Sequence, residues 1–255
     1  MGLAAETAPA ARPSASRPAL LLAVAALLAL AGLAASPYAH YLSHDYQPSS
    51  LAGQLVALVL FLAGWTLMVL AMMLPTAISL LETVAKLRPE WAVARRIQLL
   101  TALGFLAAWA VVGYLFRVFD VSFHAALDSL GSTQPPPNMI TASALVLAGG
   151  FQFSSLKYRC LTACRTPSSF VYRHWQGEHS DRDAVRIGTG YGWSCVGCCW
   201  ALMLVMFALG TMSVVWMLAI GVLAALEKQA RMGPRLSAPI GYGLFGAALL
   251  VACFG

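Results

Sequence analysis

Charge is what this sequence has least of. Only 10% of its 255 residues are Asp, Glu, Lys or Arg, whereas a soluble domain carries about 25%, so a water-exposed surface cannot be covered. Acids are scarcer still, ten against sixteen Lys and Arg. The apolar stretches hold almost none of them, which leaves no carboxylate relay for protons across a bilayer. There is no phosphate-cradling Gly-x4-Gly-Lys-Ser/Thr loop and no glycine-rich dinucleotide turn, so ATP-driven pumping is not expected. No internal repeat is evident, and an inverted-repeat secondary transporter finds no support.

What the chain has instead is apolar length, with 60% hydrophobic residues and a mean hydropathy of +0.74. Apolar runs cover 19–35, 51–74, 97–119, 139–156, 190–209, 212–226 and 237–254. They are continuous, where barrel strands would alternate over about ten residues. The expected fold is therefore all-α, a polytopic transmembrane helical bundle of about seven spans. It forms one domain over 19–255, preceded by a disordered cytoplasmic N-terminal tail over 1–18. The first run, which follows Arg12 and Arg17, reads as an uncleaved anchor rather than a signal peptide.

Residues 194–226 would make one helix of about 50 Å, against a bilayer core of about 30 Å, so a break is expected at Gly210-Thr211. With that break and the amino terminus inside, fifteen of the sixteen basic residues fall on the cytoplasmic side and only Arg117 outside. Fusing the two runs would carry Lys228, Arg231 and Arg235 to the wrong side. The expectation is a multi-pass protein of a bacterial inner (plasma) membrane. Its excess positive charge meets membrane lipids, with no nucleic acid as partner.

Five of the six cysteines then gather on the cytoplasmic side, where thiols stay reduced. Cys160 and Cys164 lie four apart just past the fourth run, in a helix that Pro167 should stop. Lys157, Arg159 and Arg165 stand beside them as cations that would favour thiolate. Cys195, Cys198 and Cys199 open the fifth run. Cys253 reads as a small buried apolar residue. Such clusters bind a soft or borderline metal, or run thiol–disulfide exchange.

The methionines favour metal. Cys195, Cys199, Met203 and Met206 follow i, i+4, i+8, i+11 and share a helical face. Met68 and Met72 share another, with Met73 beside them and Pro75 expected to kink the helix. Thiolate with thioether selects Cu(I), while zinc rarely uses methionine. The bland alternative is that methionine simply fills apolar helices.

A nitrogen and oxygen set stands on the other side, His40, His44 and Asp45 after the first run and Asp120, His124 and Asp128 after the third. It suits Cu(II) or Zn(II), or is ordinary loop polarity and a helix-surface pair. The loop 165–189, with His174 and His179, reads as a solvated cytoplasmic connector. Glu227 and Lys228 read as the end of a helix at the headgroups, and Gln152 should pack inward against a hydrogen-bonding partner.

The segments AMMLPTA at 71–77, FQFSSLKYRCLTACRTP at 151–167, CVGCCWALM at 195–203 and LGTMSVVWM with the later LEK at 226–228 resemble a bacterial family of predicted metal-binding integral membrane proteins. Some members of that family are labelled copper chaperone, and the likeness covers roughly 60–230. It implies metal handling through Cys160, Cys164, Cys195, Cys198 and Cys199, helped by Met72, Met73 and Met203. Where many relatives have a histidine shortly before the second cysteine block, this chain reads GTGYG with Tyr191, which throws the site more onto sulfur.

The combined expectation is a non-enzymatic membrane protein that binds Cu(I) at a cytoplasmic-face cysteine cluster and passes it along a methionine-lined helix face. Its partner would be a copper-dependent membrane oxidase or monooxygenase, or a soluble copper carrier. The alternatives are a thiol–disulfide oxidoreductase using Cys195 and Cys198, and a structural Zn–Cys knot.

Overall fold

The structure is a computed structural model that describes residues 15–36, 50–129, 136–209 and 214–254. Among these residues there are ten α-helices and no strand: α1 (Ser16–Ala34), α2 (Leu51–Met72), α3 (Ile78–Ala85), α4 (Trp91–Ser129), α5 (Pro137–Phe151), α6 (Ser155–Arg165), α7 (Pro167–His174), α8 (Ser180–Leu209), α9 (Val214–Gln229) and α10 (Gly233–Phe254).

Five of them, α1, α2, α4, α8 and α10, are long and apolar enough to cross a membrane, fewer than the seven expected. The two expected runs outside these five are the fourth and the sixth. Helix α5 has 15 residues, which at about 1.5 Å each fall short of a core of about 30 Å, and α9 is described only from Val214 on, next to residues 210–213 that lie outside the described set. Helix α5 reaches the needed length only together with α6, from which it is bent by 70°. Hydropathy alone misses that bend. Its local cause is Ser154, whose hydroxyl accepts from the Lys157 amide at 3.1 Å and so starts a new helix.

Two further boundaries differ from expectation. Pro75 does not kink one helix: α2 stops at Met72, and the chain continues through a 3-10 turn at Pro75–Ala77 into α3. The connector 165–189 is largely helical. Pro167 stands in the first turn of α7, while Asp181 and Asp183 occupy the first turn of α8, residue types suited to helix starts. Between them Gly177 takes φ +86°. The Asp183 carboxylate accepts from the Gln176 and Gly177 amides at 3.1 and 2.8 Å.

Helices α4 and α8 run parallel in close contact because glycine lines their crossing. A Cβ on Gly192 would lie 2.7 Å from Ala108 Cβ, one on Gly104 would lie 2.6 Å from Val185 O, and one on Gly188 would overlap the Thr101 backbone. Small residues of this kind let helix backbones approach inside a membrane. Arg96 pairs with Asp181 at 2.5 Å, and Arg88 donates to Ser180 Oγ at 3.0 Å. Both contacts tie the starts of α4 and α8 together at one basic end. Leu21, Leu28, Val59, Leu115 and Leu249 point outward, as lipid-facing residues must. The core, by contrast, is rich in methionine and cysteine.

Candidate metal centre

Sulfur from three chain segments meets inside the bundle. Helix α8 supplies Cys195, Cys198 and Cys199, each at most 2% exposed, α6 supplies Cys164 at 5%, and the residue capping α2 is Met73 at 1%. Cys164 Sγ lies 3.9 Å from Cys198 Sγ. Met73 Sδ lies 3.9 Å from Cys195 Sγ and 4.0 Å from Cys199 Sγ. The thiols of Cys198 and Cys199 both reach the Cys195 carbonyl at 3.0 Å, which fixes their orientation on the helix. All the cysteines of the described residues are free thiols.

Cys160 is half-buried at the rim of this group. Its sulfur occupies the space beside Gly197, where a Cβ would overlap it, so the glycine between Cys195 and Cys198 of α8 lets the rim thiol approach. Met203 and Met206 continue inward along α8, fully buried, and Met68 and Met72 are buried along α2. Met72 packs against Gly221 of α9.

The cation at this site is Lys228, and that corrects the expectation that it marks a headgroup boundary. Only 7% exposed, its ammonium lies 3.0 Å from Cys195 Sγ, 3.5 Å from Met73 Sδ and 3.4 Å from Thr76 Oγ1. Glu227 is likewise interior, at 2%. It receives the Lys157 ammonium at 2.8 Å on both carboxylate oxygens and the Ser237 hydroxyl at 2.9 Å. Lys157 also donates to Gln152 Oε1, so Gln152 packs inward with a partner. Lys157 is therefore engaged by Glu227 rather than by the thiols. Arg165 is committed too, donating to the carbonyls of Glu227, Lys228, Ala230 and Arg231.

Tyr191, in the GTGYG segment before the second cysteine block, acts through the backbone. Its hydroxyl donates to the Cys164 carbonyl at 2.8 Å, and its ring lies between Phe105 and Phe170. It thereby positions Cys164 against α8. The sequence signals for Tyr191 and Lys228 were polar groups inside apolar helices, which usually require a partner.

The nitrogen and oxygen set is elsewhere. Ala108 faces Gly192, and Asp120 lies twelve residues past Ala108, which places it about 14 Å beyond Cys195 along the axis. Asp120 is buried against Arg117 at 3.1 Å. His124 Nδ1 lies 2.9 Å from the Asp120 carbonyl and 3.5 Å from its carboxylate. An arginine thus holds the carboxylate that a metal would need. His40, His44, Asp45, the Asp128 side chain and the Gly210-Thr211 turn lie outside the described residues. Cys253 is exposed, not buried.

Among the described residues, no three histidine, cysteine or acidic side chains form a group able to hold a metal ion by themselves. The convergence at α8 includes a thioether and an ammonium.

The chain belongs to the family PpoB2, described as copper chaperone, whose match covers residues 62–251. No curated protein and no solved structure matches the chain.

Proposed function

Taking membership of a copper-chaperone family as premise, we propose that this protein binds Cu(I) at the sulfur convergence of α6, α8 and the end of α2, and passes it on as cargo. The observation that carries the reading is the approach of Met73 to both Cys195 and Cys199 at 3.9 and 4.0 Å. With metal–sulfur bonds of about 2.3 Å, three sulfurs around a trigonal ion sit about 4.0 Å apart. Thiols and a thioether so spaced can close on a soft ion with little movement, and thioether in the set favours Cu(I) over Zn(II).

The half-buried Cys160 is the natural first contact, because transfer between sulfur ligands needs one that a donor can reach. From there the ion moves to Cys164 and Cys198, then to the Met73 group, and onward past the buried Met203 and Met206. By the positive-inside rule the basic end carrying this rim faces the cytoplasm of a bacterium, with the amino terminus on the same side. Membrane lipids surround the bundle. A soluble copper carrier suits the rim thiol as donor, and a copper-dependent membrane oxidase or monooxygenase suits the far end as client.

The test is Cu(I) titration of the purified full-length chain under reducing conditions. One equivalent should bind competitively with a Cu(I) chelator, and a Cys195→Ser/Cys198→Ser double variant should lose it. Undisturbed binding in the double variant removes the proposal. A redox reading would use Cys164 and Cys198, whose sulfurs face each other across two helices, rather than Cys195 and Cys198 of a single helix. Trapping of a mixed disulfide with a partner in the absence of metal would favour it.

A further inference from the structure

Lys228 brings a positive charge to a place where a cation is meant to bind, which is costly unless the charge has a use. We propose that Lys228 sets the charge selectivity of the sulfur site, so that it accepts a monovalent soft ion in preference to a divalent one. This rests on the copper reading above, since it concerns what that same site prefers.

The geometry carries the argument. The Lys228 ammonium touches Cys195 Sγ at 3.0 Å and Met73 Sδ at 3.5 Å, two of the sulfurs assigned to the ion. The neighbouring carboxylate cannot cancel it. Glu227 is taken by Lys157 and Ser237, and successive helical side chains point about 100° apart. The remaining contact, Thr76 Oγ1 at 3.4 Å, is neutral. Arg165 is held on backbone carbonyls, and Tyr191 donates to the Cys164 carbonyl. Among the described residues, the ammonium is thus the fixed charge facing these sulfurs.

An ion bound by Cys195 and Met73 would lie one sulfur away from the ammonium, on the order of 5 Å. Repulsion scales with the charge of the ion, so a divalent metal suffers twice what Cu(I) does. In a medium of effective dielectric constant about 20, one extra unit of charge at that distance changes the relative affinity on the order of a hundredfold. The thiolates attract any cation. The ammonium is what separates one charge from two.

The experiment measures Cu(I) and Zn(II) affinities of the full-length protein in detergent against chelators of known strength, for wild type, Lys228→Met, Lys228→Gln and Lys228→Arg. The neutral variants should shift the affinity ratio toward Zn(II) by at least about tenfold. Lys228→Arg should hold the wild-type ratio, because it keeps the charge. Using two neutral variants guards against one that fails to fold, and a purely packing role would lower both affinities together. An unchanged ratio in a monodisperse neutral variant overturns the proposal, as does a Lys228→Arg ratio shifted as far as the neutral ones. Wild type that binds no Cu(I) overturns this inference and the copper reading together, whereas wild-type Cu(I) binding with an unchanged variant ratio overturns this inference alone.

Discussion

Replacing Lys157 with methionine should be among the most damaging single changes in the chain, although it lies outside the sulfur set. Both oxygens of Glu227 rest 2.8 Å from its ammonium, and the two side chains are 1% and 2% exposed. Without Lys157 the carboxylate keeps, among the described residues, only the Ser237 hydroxyl. Removing one partner of a buried pair costs about 3–5 kcal/mol, because the charge left behind has no water to take the partner's place. Replacing both residues with methionine removes the stranded charge, so the Lys157→Met/Glu227→Met protein should regain most of that loss. Unfolding free energies in mixed detergent micelles, read by tryptophan fluorescence, give the comparison directly. A single-variant loss below about 1 kcal/mol would show that water reaches Glu227 and that the pair is not sealed inside the bundle. A double variant as unstable as the single one would refute the stranded-charge argument itself.

Met73→Leu keeps the volume and removes the thioether, so stability should change by less than about 1.5 kcal/mol while Cu(I) affinity in a chelator competition falls. Equal affinity would exclude Met73 as a ligand. Tyr191→Phe removes the hydroxyl held at 2.8 Å by the Cys164 carbonyl and should cost about 1 kcal/mol in the same unfolding assay, with full copper stoichiometry retained. Gly188→Ala drives a Cβ into the Thr101 backbone; the loss should be at least about 1–3 kcal/mol, and a neutral effect would mean that α4 and α8 do not cross so closely.

The membrane character and helical class were legible because they depend on composition and run length, which local sequence carries in full. The gathering of Cys164 with Cys195, Cys198 and Cys199 was legible in kind. A charge-sidedness argument places both cysteine blocks at one surface, but their distances depend on how α6 turns away from α5. That turn is encoded by a single serine cap inside an otherwise apolar run, a signal hydropathy averages away. The short length of α5 was missed for the same reason. Glu227 and Lys228 were misplaced because a charged pair near a helix end looks the same whether it meets headgroups or a partner. Only the distant positions of Lys157, Cys195 and Met73 decide between these, and no local pattern records them. The tight α4 and α8 crossing could have been read from Gly188 and Gly192, spaced four apart.

Arg165 follows Cys164 directly in α6, and its guanidinium grips the carbonyls that close α9. The thiol proposed to receive the ion and the ammonium proposed to discriminate among ions are therefore carried on two rods bolted to each other at one corner. If α6 swings outward to present Cys164 to a donor, the end of α9 must follow, drawing the ammonium away from Cys195 in the same stroke. Loading and the lowering of the electrostatic barrier would then be a single displacement rather than two.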